Sequence, residues 1–82
     1  MEIEEIEKHL IAFVQNNILA EELTIQATDE LKLVGLDSFS IVEIILFIER
    51  KFGFVIPDEQ LLPDHFQSIQ KIAILVKDYL NQ

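Results

Sequence analysis

Apolar residues recur at helical spacing in three stretches of the chain, and each stretch predicts a helix. The first runs from Ile3 to about Val14, with apolar side chains at positions 3, 6, 10, 11, 13 and 14. Glutamates crowd its start, where the helix dipole favours negative charge. Asn16 and Asn17 follow, and asparagine tolerates the left-handed conformation that often ends helices. We therefore expect this helix to stop at the two asparagines.

A second helix is predicted from about Ser38 to Phe52, between Gly35 and Gly53. A glycine just after the last turn is a common C-terminal stop. One side of this helix is apolar enough to face the core, whereas the opposite side is only half polar. The inner stripe is Ile41, Ile44, Ile45, Ile48 and Phe52, and the opposite side carries Phe39, Glu43, Leu46, Phe47 and Arg50.

The large apolar residues opposite the core stripe leave two possibilities open. Phe39, Leu46 and Phe47 cannot all be buried if the inner stripe is. They either form an exposed docking patch for a protein partner, or Phe47 or Phe39 folds back over the loop of residues 31–36.

A third main helix is predicted after Ser68, which is a suitable cap, and it extends to Tyr79 or Leu80. Its inner face is Ile69, Ile72, Ala73, Val76 and Leu80. A very short helix is expected at Pro63–Phe66. The predicted fold class is all-α, a small four-helix bundle of three main helices and one short helix, with a long loop between helices one and two.

The segment of residues 17–36 keeps neither a strand period nor a helical period for long, and we expect a long connection. Thr28-Asp29-Glu30 resembles a cap that opens a short turn from Leu31 to Val34, which Gly35 would end. Phe54–Ile56 precedes Pro57 and should be extended. Long connections of this kind are often functional.

Composition excludes several classes of function. The 82 residues fit one domain, residues 1–82, and carry fifteen acidic against six basic residues, for a net charge of −9. This charge repels nucleic acid and favours partners with basic patches. The chain has no cysteine, its first residues are acidic, and its apolar run Ile44–Ile48 is too short to span a bilayer. We expect a cytosolic monomer without stable membrane insertion.

Ser38 is the first candidate for chemistry. It lies where the free N–H groups of a helix start point outward, which suits a phosphate. A simpler interpretation is that Asp37 or Ser38 only caps the helix. The elbow motif of serine hydrolases is absent, and His9 and His65 lie far from Ser38 and from each other in sequence, so we expect neither a triad base nor a metal site.

A longer pattern around Ser38 resembles the acyl carrier protein family. Its residues are Leu31…Val34-Gly35-Leu36-Asp37-Ser38-Phe39, Val42-Glu43-Ile44, Ile48-Glu49, Phe52, Ile56-Pro57-Asp58-Glu59 and Phe66 to Ile72. The Gly-x-Asp-Ser core combined with Ile-Pro-Asp-Glu at this spacing makes the resemblance specific. It covers about residues 28–80.

The resemblance implies a carrier whose serine, here Ser38, is esterified to a 4′-phosphopantetheine arm by a phosphopantetheinyl transferase. Acyl or aminoacyl groups would be held on the arm as thioesters and presented to loading and processing enzymes. Such a carrier is a substrate of its enzymes and is not itself an enzyme. Asp37 matches the acid that positions the carrier on the transferase, and Glu43 and Glu49 match acids that meet basic patches on partner enzymes.

Departures from the family pattern bear on the cargo. Fatty-acid carriers usually have leucine after the serine and often aspartate next, whereas this chain has Phe39 and Ser40. Arg50 and Lys51 stand where those carriers tend to be acidic. The chain therefore resembles a specialised carrier in fatty-acid, lipid or polyketide-type biosynthesis, or alternatively a D-alanyl, aminoacyl or peptidyl carrier. An alternative of another class is an unmodified helical interaction module.

Overall fold

Helices alone make up the regular structure of the computed structural model, which describes residues 1–20 and 22–81. The main helices are α1 (Ile3–Asn17), α2 (Ser38–Phe52) and α3 (Ile69–Leu80), and three 3-10 turns span Leu31–Val34, Asp58–Gln60 and Pro63–Phe66. No strand occurs in these two ranges. The all-α prediction is confirmed, and the expected short fourth helix is the 3-10 turn at Pro63–Phe66.

Helix α1 forms because its start is capped and one of its faces is apolar. Glu2 and Glu5 make a reciprocal capping box at its start. Ile6, Leu10 and Val14, spaced four residues apart, are fully buried.

The predicted end of α1 is wrong in its mechanism. The helix continues through Asn17, and Ile18 ends it with a negative φ of −121°. No residue of the described chain other than glycine has a positive φ. Asn17 instead donates its side-chain amide to the carbonyl of Phe13, one turn back along the helix, at 2.9 Å.

The connection between α1 and α2 is fixed to the start of α3 by backbone hydrogen bonds. Leu31 donates its amide to the carbonyl of Gln67, and Gln70 donates to the carbonyl of Ala27, each at 2.8 Å. Gly35 ends the Leu31–Val34 turn at φ +93°, as predicted, in a conformation that favours glycine. These two bonds hold the connection between α1 and α2 against the start of α3 and the residue Gln67 shortly before it.

The predicted cap at Thr28-Asp29-Glu30 is wrong. Glu30 is the residue that precedes the Leu31–Val34 turn, and its side chain makes no capping hydrogen bond. Asp29 accepts a hydrogen bond from the amide of Gln26 at 2.9 Å instead. Its carboxylate therefore closes the preceding bend.

Helix α2 has the predicted bounds, and Gly53 ends it in the left-handed conformation at φ +80°. Its buried side is narrower than predicted. Ile44 and Ile48 are fully buried, whereas Ile41, Ile45 and Phe52 are only half-buried. The core therefore meets α2 along the line of Ile44 and Ile48, and Ile41 and Ile45 border a cleft described below.

Helix α3 packs along α1 and supplies the largest share of the core from any one helix. Ser68 is its cap, as predicted, and its hydroxyl accepts a hydrogen bond from the Lys71 amide at 3.2 Å. Of the predicted inner face, Leu80 is only half-buried, and Leu75 is a buried residue that the prediction missed. The buried residues of α3 are Ile69, Ile72, Ala73, Leu75 and Val76. None of the helices in the described ranges has the length and hydropathy needed to cross a membrane.

Candidate functional site at the start of helix α2

Asp37 is the cap of α2. Its backbone is extended at φ −99°, and its Oδ1 accepts hydrogen bonds from the backbone amide of Ser40 at 3.0 Å and from the Ser40 hydroxyl at 3.1 Å. Of the two capping candidates in the sequence, Asp37 therefore performs this role. Ser38 is then the first residue of the helix itself.

Hydrogen bonding keeps the Asp37 carboxyl ionised. The Ser40 backbone amide, and next the Ser40 hydroxyl, donate to the carboxylate and lower the pKa of Asp37 below that of an ordinary aspartate. The group is on the surface, where solvent screens its charge. A negative charge is thus present next to Ser38 throughout the neutral pH range.

Ser38 has the environment that a phosphodiester requires. Its side chain is exposed, and its hydroxyl takes part in no hydrogen bond among the described residues. The amides of Ser38 and Phe39 belong to the first turn, where helices have no carbonyl partners for them. A phosphate esterified to this hydroxyl would lie at the positive end of a helix of 15 residues. The residues present therefore fit a phosphopantetheine group.

An open cleft of about 700 Å³ borders Ser38. We call it the Ser38 cleft, and its volume falls in the range of small-molecule sites. Its apolar part comes from the first turns of α2, the Leu31–Val34 turn and the segment of residues 61–66, and charged groups from Glu30, Lys32 and Asp64 also line it. The apolar lining is Leu31, Leu36, Ile41, Ile45, Leu61, Leu62, Pro63 and Phe66.

Part of the predicted partner surface lies exposed on α2. Phe39 is 70% exposed and Leu46 is 50% exposed. Val42, which the sequence prediction did not assign to this surface, is also 50% exposed. Positions 39, 42 and 46 have the three- and four-residue spacing of a single helix face. We refer to Phe39, Val42 and Leu46 as the α2 apolar face.

Phe47 is not part of this exposed surface. It is half-buried, and its ring stacks on that of Phe13 in α1, with centroids 4.3 Å apart and planes inclined by 15°. Neither of the two possibilities raised for it in the sequence describes this position. Phe47 lies between α1 and α2 because, with Ile44 and Ile48 facing the core, the side of α2 that carries Phe47 faces α1.

The charged residues predicted for the partner surface have different surroundings. Glu43 is half-buried and Arg50 is exposed in the last turn, where a positive charge complements the helix dipole. Glu49 accepts a hydrogen bond from the backbone amide of Ile56 at 3.3 Å, at the end of α2 far from Ser38 in sequence. Glu49 thus has a structural role in holding the extended segment after the helix.

Two parts of the site were missed by the sequence prediction. The spacing of Val42 relative to Phe39 and Leu46 indicates that Val42 is exposed, but only once it is known which residues of α2 face the core. The part of the cleft lining formed by Leu61, Leu62 and Pro63 had no local signal, since it faces α2 only through tertiary packing. Among the described residues, no group of three or more His, Cys, Asp or Glu side chains could hold a metal ion.

The sequence matches a family model described as the phosphopantetheine attachment site over residues 11–76, which include Asp37 and Ser38. Among curated relatives, aminoacyl carrier protein 1 of Bradyrhizobium diazoefficiens is 36% identical over 67 residues, covering 82% of this chain and 72% of that protein. The acyl carrier protein of Helicobacter acinonychis is 46% identical over 46 residues, covering 56% of this chain and 58% of that protein.

Solved structures also resemble the fold. One chain from the crystal structure of Bradyrhizobium japonicum glycine:[carrier protein] ligase complexed with glycylated carrier protein matches with a TM-score of 0.71 and 29% identity, over 89% of this chain and 96% of that chain. The holo acyl carrier protein of Nitrosomonas europaea has a TM-score of 0.73 at 24% identity, over the whole of both chains. The chain thus belongs to the phosphopantetheine-attachment-site family and is a carrier protein of the acyl and aminoacyl carrier type, with 4′-phosphopantetheine as its prosthetic group.

Proposed function

We propose that Ser38 carries the 4′-phosphopantetheine arm. The observation that carries this proposal is the division of roles at the start of α2, where Asp37 caps the helix and leaves the exposed Ser38 hydroxyl uncommitted. In the modification, the Ser38 hydroxyl oxygen attacks the phosphorus of the phosphopantetheinyl group of coenzyme A and loses its proton. The diphosphate linkage of coenzyme A breaks, adenosine 3′,5′-bisphosphate leaves, and Ser38 is joined to the arm by a phosphodiester. The arm supplies a terminal thiol on which cargo is held as a thioester, and the chain has no cysteine of its own.

The amino acid class is the cargo that we favour. The aminoacyl carrier relatives align over 82% and 92% of this chain, whereas the Helicobacter acyl carriers align over 52–56%. A glycylated carrier protein is also part of a structure with the same fold at 29% identity. A ligase that activates an amino acid would then load this carrier, and the carrier would be a substrate without catalytic activity of its own.

A fatty acyl or related acyl cargo is the second candidate. Its support is the higher identity of 46% to the acyl carrier protein of Helicobacter acinonychis, although over a shorter stretch. The apolar lining of the Ser38 cleft is also chemically compatible with an acyl chain. This candidate places the carrier in a fatty-acid, lipid or polyketide-type pathway.

Partner enzymes dock, in this proposal, on the α2 apolar face. Its three residues are at least half exposed and lie on the helix that begins at Ser38, so a docked enzyme would be close to the arm. Apolar anchors of this kind contribute most of the energy in protein interfaces. The net charge of −9 adds attraction to enzymes with basic rims.

A loading experiment distinguishes the two cargo classes. The protein is first modified with coenzyme A and a broad-specificity phosphopantetheinyl transferase. One portion then receives ATP, amino acids and a glycine:carrier protein ligase, and another receives ATP, fatty acids and an acyl-carrier synthetase. We expect an aminoacyl mass increment that hydroxylamine removes and that Ser38→Ala lacks. If the protein is loaded only in the portion that receives fatty acids, the acyl proposal replaces the aminoacyl one.

A further inference from the structure

The wall of the Ser38 cleft opposite α2 is built by a short irregular segment. We call Leu61, Leu62, Pro63 and Asp64 the cleft wall, and all four residues line the cleft together with Ser38. Leu61 and Leu62 join the 3-10 turn of Asp58–Gln60 to that of Pro63–Phe66, and Pro63 and Asp64 are the first two residues of the second turn. The position of this wall sets the width of the cleft next to the serine.

Backbone hydrogen bonds hold each turn but do not join them. Within the first turn, Gln60 donates to the carbonyl of Pro57 at 2.9 Å and Leu61 donates to that of Asp58 at 3.0 Å. Within the second, His65 donates its amide to the carbonyl of Leu62 at 3.0 Å. Each of these bonds spans three residues, so the backbone alone leaves the two turns free to hinge between Leu61 and Leu62.

The side chain of His65 connects the two turns. Its Nδ1 lies 2.8 Å from the carbonyl oxygen of Gln60, in a half-buried position. A carbonyl oxygen can only accept, so Nδ1 carries the hydrogen in this contact. Among the hydrogen bonds of the described residues, this is the one that closes the loop from residue 60 to residue 65 across the cleft wall.

The loop of residues 60–65 is anchored in the core at the next residue, so the hydrogen bond from His65 can hold Gln60 in place. Phe66, directly after His65, is 7% exposed and belongs both to the core and to the lining of the cleft. Pro63 restricts its own φ and therefore limits the conformations of the wall. With Phe66 fixed in the core, the bond from His65 fixes Gln60 and, with it, the entry to the wall.

We propose that His65 is a positioning residue, which fixes the cleft wall through Gln60 so that the Ser38 cleft shields an arm attached to Ser38. The shielding rests on the proposed function, because it requires the arm on Ser38. The positioning of the cleft wall by His65 does not rest on the proposed function, since it concerns the unmodified chain. His65 itself touches no reacting group.

Two substitutions separate the hydrogen bond from the size and polarity of the side chain. In His65→Asn, the amide nitrogen lies at the same number of bonds from Cβ as Nδ1, so it can donate to the Gln60 carbonyl. In His65→Gln, the amide nitrogen lies one bond further and corresponds to Nε2. Both replacements are polar and uncharged.

The first measurement uses the unmodified protein and records, by NMR, hydrogen exchange at the hydrogen-bonded amides of Gln60, Leu61 and residue 65. We expect exchange in His65→Asn to match the original chain within about twofold. In His65→Gln, we expect exchange to be faster by about fivefold, the effect of one lost hydrogen bond. Unchanged exchange in His65→Gln, or equal acceleration in both variants, would overturn the positioning role.

The second measurement uses the protein carrying the arm and records alkylation of the terminal thiol by iodoacetamide. The thiol in His65→Gln should react up to about fivefold faster than in the original chain, and His65→Asn should restore the slow rate. Identical rates in all three proteins would overturn shielding by the wall. If no transferase attaches the arm to the original chain, the proposed function fails, and the exchange measurement still decides the role of His65.

Discussion

In the proposed function, two adjacent residues at the start of α2 divide the roles of capping and of attachment. Asp37 accepts hydrogen bonds from the amide and hydroxyl of Ser40, and the Ser38 hydroxyl is exposed with no hydrogen-bond partner among residues 1–20 and 22–81. Had the serine been the cap, its hydroxyl would have been engaged with the backbone and modification would have removed the cap. The acid next to the serine thus lets the helix start remain intact when the serine is modified.

Acidification should remove the contribution of the Asp37 charge to stability. The pKa of this carboxyl is lowered by the Ser40 donors in the folded protein, so the unfolded chain binds a proton at higher pH than the folded one. The contribution is complete above the ordinary aspartate pKa of about 4 and is lost as the pH falls through the lower folded value. Asp37→Asn retains a capping oxygen that does not titrate.

Urea unfolding of the original chain and of Asp37→Asn provides the measurement. At about pH 6 the original chain should be the more stable, because hydrogen bonds to a charged acceptor are stronger. At about pH 3 the difference between the two free energies of unfolding should be smaller. The other carboxyls are present in both proteins, so their titration does not contribute to this difference. A difference that stays constant or grows on acidification would contradict this assignment.

Glu49 should contribute to stability through its bond with the Ile56 amide. Glu49→Ala removes the acceptor and should lower the free energy of unfolding by about 1 kcal/mol, whereas Glu49→Gln keeps an amide oxygen and should lose less. Urea unfolding of the two variants tests this order. Equal losses would show that the contact at 3.3 Å adds nothing specific.

At the scale of the element, α2 has four different surroundings around its circumference. Ile44 and Ile48 face the core, Ile41 and Ile45 border the Ser38 cleft, and the α2 apolar face is exposed. The side that carries Phe47 packs on α1 through the stack with Phe13. In the proposed function, the helix therefore presents a surface for a partner and a cleft for the arm on neighbouring sides.

Truncation of the α2 apolar face should weaken docking and leave the fold intact. The double variant Val42→Ala, Leu46→Ala should reduce kcat/KM for loading by about tenfold, because exposed anchors contribute to binding and little to folding. Ile74→Ala on α3, at a residue 45% exposed, is the matched control and should load normally. Normal loading of the double variant would exclude the α2 apolar face as the docking site.

Phe47→Ala should act on stability instead. Loss of the stack on Phe13 removes an interhelical contact, and we expect the free energy of unfolding to fall by about 1–3 kcal/mol. Phe39→Ala, at a residue 70% exposed, serves as the comparison and should unfold like the original chain. Thermal unfolding followed by circular dichroism measures both. Equal stability of the two variants would contradict the assignment of Phe47 to the α1–α2 contact.

At the scale of the whole molecule, local signals predicted the elements better than their packing. The bounds of α2 were predictable because Asp37 and Gly53, which start and end it, are adjacent to it in sequence. The rotation of α2 about its own axis was not predictable, because a residue such as Ile45 is equally apolar whether it faces the core or a cleft. The position where α1 ends was predicted, but the left-handed conformation expected there was not found, because Ile18 ends the helix with a φ of −121°.

The Ser38 cleft could not be predicted from any single stretch of sequence. Its lining comes from the Leu31–Val34 turn, from α2 and from residues 61–67, which only tertiary structure brings together. The backbone bonds between Leu31 and Gln67 and between Gln70 and Ala27 hold two of these segments in register. Candidate site residues such as Ser38 and Asp37 were predictable because their motif is contiguous.

The central claim is the attachment of the arm to Ser38, and mass spectrometry tests it most directly. The original chain, Ser38→Ala and the matched control Ser40→Ala are each incubated with coenzyme A and a phosphopantetheinyl transferase. We predict a phosphopantetheine increment on the original chain and on Ser40→Ala, located by fragmentation at Ser38, and none on Ser38→Ala. An increment that persists in Ser38→Ala, or its absence from the original chain with every transferase, would contradict the account.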